Sequence, residues 1–292
     1  MEPETVITKS RRLPTTGNVL VKKGENVIPE TVVARGYVPN PKVHLVKVYA
    51  DLGVDPGRVE RYMLKKEGEE VEKDEVIAIR RSFFGLSMKV CKSPIEGTIE
   101  FFSDVTGQAL IRGKPILVEV KAHIPGRVID VIPEEGAVIE SSVAFIQGIF
   151  GIGGETHGEL VIAVDSPIGV LSPDKIRDEH WGKILVGGSL VTLGALREAV
   201  ENGVRGVISG GVDQKELINF LGHEIGVGIT GDEETGLTLI LTEGFGQISM
   251  NDKTFQLLRS FAGKQACING STQIRFRVIR PEIILPFETP EV

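Results

Sequence analysis

Two stretches of this sequence repeat one pattern at an interval of 44 residues: KGENVIPETVVA over 23–34 and EGEEVEKDEVIA over 67–78. Gly24 and Gly68 each precede a valine by three positions, Val27 and Val71. Each copy closes on an apolar triplet, Val32-Val33-Ala34 and Val76-Ile77-Ala78. The spacing has a mechanical reading. Glycine takes the positive backbone angle of a tight turn, the valine after it enters the core, and the closing triplet belongs to the next strand. A chain that makes this turn twice is β-rich around it, and its 35 glycines fit many short strands joined by tight turns.

The shared phrase, G-(D/E)-x-V-xxx-(D/E/T)-V-(I/L/V)-A, resembles the biotinyl and lipoyl domains and the wider group of barrel-sandwich hybrids. The resemblance extends through Ser93, Pro94, Gly97 and Ile99 and covers residues 17 to 120. It implies an N-terminal barrel-sandwich module, a kind that also occurs without cofactor in transporter adaptors, respiratory-complex subunits and RNA polymerase. In carrier members a lysine on a hairpin tip holds the cofactor. Here Lys89, in Met88-Lys89, stands five residues before Pro94, and the position equivalent to the carrier lysine falls on Leu86. Lys89 therefore reads as a mid-strand lysine, and no cofactor is expected. The tip Phe83-Phe84-Gly85-Leu86 is costly to expose and is expected to contact another surface, in this chain or in a partner. Residues 41–62 interrupt the repeat. Val43, Val46, Val48 and Leu52 follow helical spacing, and Asp55-Pro56-Gly57 marks a turn, so a helical insertion is expected there.

Beyond residue 120 the stretch RVIDVIPEEGAVIE alternates like a pair of half-buried strands, and residues 121–164 read as a small β unit. Its glycine-rich loop, IFGIGGETHGE, contains Glu155, His157 and Glu159. Carboxylates and imidazole are suitable metal ligands, although an isolated E-x-H-x-E equally describes a polar turn. From 165 to 292 the pattern changes to strand, helix, strand, helix, the alternation of an α/β domain with a parallel sheet. KILVGGSLVT is a strand and LGALREAVENG a helix stopping at Gly203. VRGVISGGV is a strand, and DQKELINFLG is a helix with Asp213 as N-cap and Gly222 as stop. Gly187, Gly188 and Ser189, and Ser209, Gly210 and Gly211, end two strands before helices. Backbone N–H groups at such places favour anions. Neither cluster is a nucleotide fingerprint, and both also read as tight turns. Glu243, after the apolar strand LTLIL, is the candidate general base if the domain is catalytic.

The fold class expected is therefore multidomain α+β. It comprises a barrel-sandwich module over 1–120 with its insertion at 41–62, a small β unit over 121–164, and an α/β domain over 165–292. A net charge of -7 argues against a nucleic-acid partner, which normally needs a basic surface. The N-terminus has acidic residues first and no apolar run behind its basic pair, so no secretory signal is expected. No apolar run approaches the roughly 20 residues that cross a bilayer. Two distant cysteines, Cys91 and Cys267, fit a reducing, cytoplasmic compartment. These features together point to a non-catalytic scaffold or accessory protein with a protein partner or a homo-oligomeric state. The alternative is an enzyme or sensor that takes a small anionic metabolite at the glycine turns.

Overall fold

A computed structural model describes residues 1–81, 88–223, 235–272 and 279–290. The chain is α+β and dominated by strands, with four α-helices among the described residues. Its contacts divide it into two compact units. The first gathers Met1–Arg12, Asn18–Ala34 and Val120–Val292, and the second Leu13–Gly17 and Arg35–Glu119. These ranges cut the chain differently from the three sequence segments. Residues 121–164 share a unit with 165–292, and both share it with the first copy of the repeat.

The first unit is organised by a large sheet. Its parallel part comprises Glu155–Ile162, Ile184–Val186, Gly206–Val212 and Thr238–Phe245, paired in that order. Helices Leu193–Glu201 and Gln214–Leu221 make the crossovers. Their ends follow the sequence signals. Thr192 Oγ1 accepts from Ala195 N at the start of one, and Asp213 Oδ1 accepts from Lys215 N and Glu216 N at the start of the other. Gly222 ends the second at φ 75°. Antiparallel strands Gln265–Asn269, Glu282–Pro286, Gly136–Gln147 and Gly126–Ile132 extend the sheet from Glu155–Ile162. Glu2–Arg12 pairs along Gly136–Gln147. The two central parallel strands, Ile184–Val186 and Gly206–Val212, are buried at every residue, as strands covered on both faces are.

In the second unit, Val43–Val46, Gln108–Gly113, Gly97–Ser103 and Glu70–Val71 form a four-stranded sheet, and Val76–Arg81 pairs with Met88–Lys92. Val48, Leu52, Val59, Ile77, Cys91, Ile99 and Ile111 are fully buried in its core. The expected helical insertion is corrected at its start. Val43–Val46 is a strand, paired with Ala109–Arg112, and only Val48–Leu52 is α-helical before two 3₁₀ turns, Pro56–Arg58 and Glu60–Tyr62. Four apolar positions could not separate a strand joined to a short helix from one long helix.

The two repeat copies adopt the same local structure, one in each unit. Gly24 and Gly68 have φ of 90° and 84°. Lys22 N donates to Glu25 Oε2, and Lys66 N to Glu69 Oε2, both at 2.8 Å. Val27 pairs with Gly126 and Val71 with Gly97. The bonds around the turn also correspond: Gly24 N to Val128 O at 2.7 Å, and Gly68 N to Ile99 O at 2.8 Å. A Cβ on Gly126 would meet Glu140 O at 2.1 Å, and one on Gly97 would meet Arg112 O at 2.0 Å, so each copy's partner strand needs glycine for close approach. The repeat therefore marks two equivalent elements, each completed by its own partner: 122–128 for the first copy and 93–99 for the second.

Candidate functional site

The two glycine clusters read from the sequence do meet. Gly187 N donates to Ile208 O and Gly210 N to Gly188 O, both at 2.7 Å, because their strands are parallel neighbours. All six residues, Gly187, Gly188, Ser189, Ser209, Gly210 and Gly211, are buried. The donors are used inside the fold. Ser189 N gives to Gly169 O at 2.8 Å, Ser189 Oγ to Ile168 O at 2.8 Å, and Ser209 Oγ to Gly211 O at 3.1 Å. Backbone occupies the space that side chains would take: a Cβ on Gly188 would lie 2.4 Å from Gly169 O, and one on Gly210 2.2 Å from Ile248 O. The glycines permit main chain to pack on main chain, and the helices behind them are capped by Thr192 and Asp213.

Glu243 lies near the end of strand Thr238–Phe245, and its Oε1 accepts from Asn251 N at 3.0 Å, next to the helix Asp252–Ser260. Glu155, His157 and Glu159 lie on a strand, with their Cα atoms opposite Asn269, Cys267 and Gln265, and not on a loop. Each lies against a different charged side chain. Arg11 grips Glu155 with two bonds of 2.6 Å, His157 Nε2 lies 2.5 Å from Glu30 Oε1, and Lys183 meets Glu159 at 3.2 Å. Among the described residues no group of three or more His, Cys, Asp or Glu side chains is arranged to hold a metal ion. Lys89 is an exposed residue of strand Met88–Lys92, opposite Arg80. The tip Phe83, Phe84, Gly85 and Leu86 lies outside the described residues.

Two features have no counterpart in the sequence reading. The first is a polar cluster of Arg11, Glu155 and the buried His123. His123 is only 4 % exposed, holds φ at 67°, and has Nδ1 3.9 Å from Glu155 Oε2 and Nε2 buried without a hydrogen-bond partner. Burial pushes its imidazole down to about 4, so it is neutral near pH 7. Burial, the largest single influence, pushes Glu155 up, but the hydrogen bonds from Arg11 and the positive charges around it, Arg11 and Lys9 among them, together hold the carboxyl below its usual range.

The second is an apolar row on the outer face of the second unit. Leu45, Leu110 and Phe101 are direct cross-strand neighbours on three adjacent strands. Leu45 is 58 % exposed and Phe101 55 %. Val43, two residues along from Leu45 and so on the same face, is also exposed. Beside them Arg112 and Glu100 neutralise each other through bonds of 2.8 and 3.0 Å, which leaves the row apolar and locally uncharged. The alternation along Val43–Val46 contained the signal, but a helical reading of the insertion hid it.

No family model, curated protein or solved structure matches this chain. Among the described residues no helix is long and apolar enough to cross a membrane.

Proposed function

We propose that this chain is a non-catalytic scaffold or accessory protein that holds a protein partner on its second unit, a module related to the barrel-sandwich hybrids. The observation that supports this reading is the row Leu45–Leu110–Phe101. Apolar side chains opposite one another on three strands form a contiguous surface, which marks interaction sites more reliably than scattered apolar residues do. Burying an exposed leucine or phenylalanine contributes about 1.5–3 kcal/mol, so the row can anchor an interface whose rim is polar. The neutralised Arg112–Glu100 pair suits an apolar counterpart better than a charged one.

The test is native mass spectrometry of the protein purified from its own source, alongside the Leu45→Asp/Phe101→Asp variant. A protein complex or homo-oligomer that the variant loses while keeping its melting temperature supports the reading. A wild-type chain that is monomeric and unbound, and whose Leu45→Cys variant is alkylated at the rate of a free peptide in native extract, overturns it.

A further inference from the structure

The net negative charge of the chain is not shared between its units. The second unit carries 14 basic and 13 acidic side chains, against 19 basic and 27 acidic in the first. Basic residues of the second unit crowd a cavity of about 440 Å³ whose lining includes Arg58, Arg61, Arg80, Gly53 and Tyr62. The two 3₁₀ turns Pro56–Arg58 and Glu60–Tyr62 create this arrangement, because at three residues per turn Arg58 and Arg61 rise on one side. Arg61 is steadied by the Tyr62 ring, 4.8 Å from its guanidinium carbon.

Arg80 comes from the strand Val76–Arg81 and is fixed by a different contact. Its Nη1 donates to Leu52 O at 3.1 Å and Gly53 O at 2.6 Å, the carbonyl end of the short helix. Lys89 reaches the same corner: its Nζ lies 2.6 Å from where a Cβ on Gly53 would stand. Among the described residues Asp55 is the one carboxylate in the lining. It is 3.6 Å from Arg58, with both side chains well exposed, so water screens much of the attraction.

We propose that this cavity binds a small, soluble, phosphate-bearing molecule. Arg58 and Arg61 supply the forked donors, and Arg80, anchored on the helix carbonyls, stands behind them with Lys89 at the same corner. Guanidinium groups match the geometry of phosphate oxygens, and an anion relieves the mutual repulsion of the three arginines that line the cavity with Asp55. The volume lies within the roughly 300–1,000 Å³ of small-ligand sites. None of these residues belongs to the row Leu45–Leu110–Phe101, so the two readings stand or fall separately.

The experiment is calorimetric titration of the full chain with inorganic phosphate and pyrophosphate, with vesicles containing phosphatidic acid in a parallel arm. The expected result is saturable pyrophosphate binding that weakens with added salt. The Arg58→Gln/Arg61→Gln variant should lose at least tenfold in affinity while melting like the wild type. Absence of saturable binding at millimolar probe, affinity unchanged in that variant, or binding to vesicles without binding to either soluble probe would each overturn the proposal. If the double variant misfolds, Arg58→Lys/Arg61→Lys is read in its place. It keeps the charge and loses the fork, and its affinity must also fall.

Discussion

Replacing Gly188 by alanine is expected to destabilise the first unit by about 3–5 kcal/mol, although the change adds one methyl group. That group would lie 2.4 Å from Gly169 O, 2.7 Å from Gly169 N and 2.7 Å from Ser166 O. All three are main-chain atoms that no rotamer change can move aside, so the segment 166–169 must retreat by about an ångström, and overpacking of this kind costs roughly 1–3 kcal/mol. The retreat also stretches Ser189 N to Gly169 O and Ser189 Oγ to Ile168 O, both now 2.8 Å. Each such bond is worth about 1 kcal/mol, which gives the total. Gly222→Ala is the control, because Gly222 has φ 75° with nothing within 4 Å of a Cβ. It should cost only the left-handed strain of a residue with a side chain, about 1 kcal/mol. Urea unfolding of the wild type and both variants measures the difference, provided the slopes agree. Equal midpoints for Gly188→Ala and Gly222→Ala, or a Gly188→Ala midpoint at the wild-type value, would refute the argument that backbone fills this space.

The cluster of Arg11, Glu155 and His123 gives two pH-dependent expectations. His123 has a folded value near 4 against 6.5 for the ordinary imidazole. The unfolded chain therefore binds the extra proton, and stability falls as pH drops from 6.5 towards 4, by about 3 kcal/mol in full. His123→Asn, which tolerates the left-handed backbone, should flatten that part of a stability profile; an unchanged slope would show that His123 titrates normally. Glu155 is held below its usual range, so its contribution is present above about 4.5 and is lost as pH falls through the lower folded value. Arg11→Met should remove that dependence and cost about 1–3 kcal/mol at pH 7, a figure reduced from the fully buried case because Glu155 keeps partial exposure. Cys91 and Cys267 are both fully buried, and their thiols are raised by burial first, with Asp51 adding to the effect at Cys91. Both should resist iodoacetamide until the chain unfolds, as counted by mass. Glu25→Ala and Glu69→Ala should destabilise by similar amounts, about 1 kcal/mol each in thermal melts, because the two carboxylates make the same 2.8 Å turn bond.

What the sequence disclosed was local chemistry. Gly24 and Gly68, the N-cap Asp213 and the stop at Gly222 were legible because each acts within a few residues of itself. The partners of those turns were not legible. Val27 pairs with Gly126 across some hundred residues and Val71 with Gly97 across far fewer, and nothing in either copy encodes that difference. Gly187–Ser189 and Ser209–Gly211 were recognisable as turns. Whether the space above them holds a ligand or main chain depends on Gly169 and Ile248, which approach only in the folded unit. His123 was missed for the same reason. Its neighbours Arg11 and Glu155 come from opposite ends of the first half of the chain, and burial rather than motif gives it its character. Arg58 and Arg61 are three residues apart and share one side of the 3₁₀ turns, but the cluster is completed by Arg80 from the strand Val76–Arg81, whose approach only the fold discloses.

The order in which the two units acquire their residues bears on synthesis. All of the second unit has been made once Glu119 is joined, so it can collapse around Val48, Ile77 and Ile111 while the ribosome is still at work. The first unit is made in the opposite sense: its opening strand, Glu2–Arg12, has its pairing partner only when Gly136–Gln147 appears. Until then the nascent chain carries Glu2–Arg12 as an unpaired strand edge. The charged side chains of Glu2, Glu4, Lys9, Arg11 and Arg12 would keep that waiting edge from pairing with a neighbouring polypeptide.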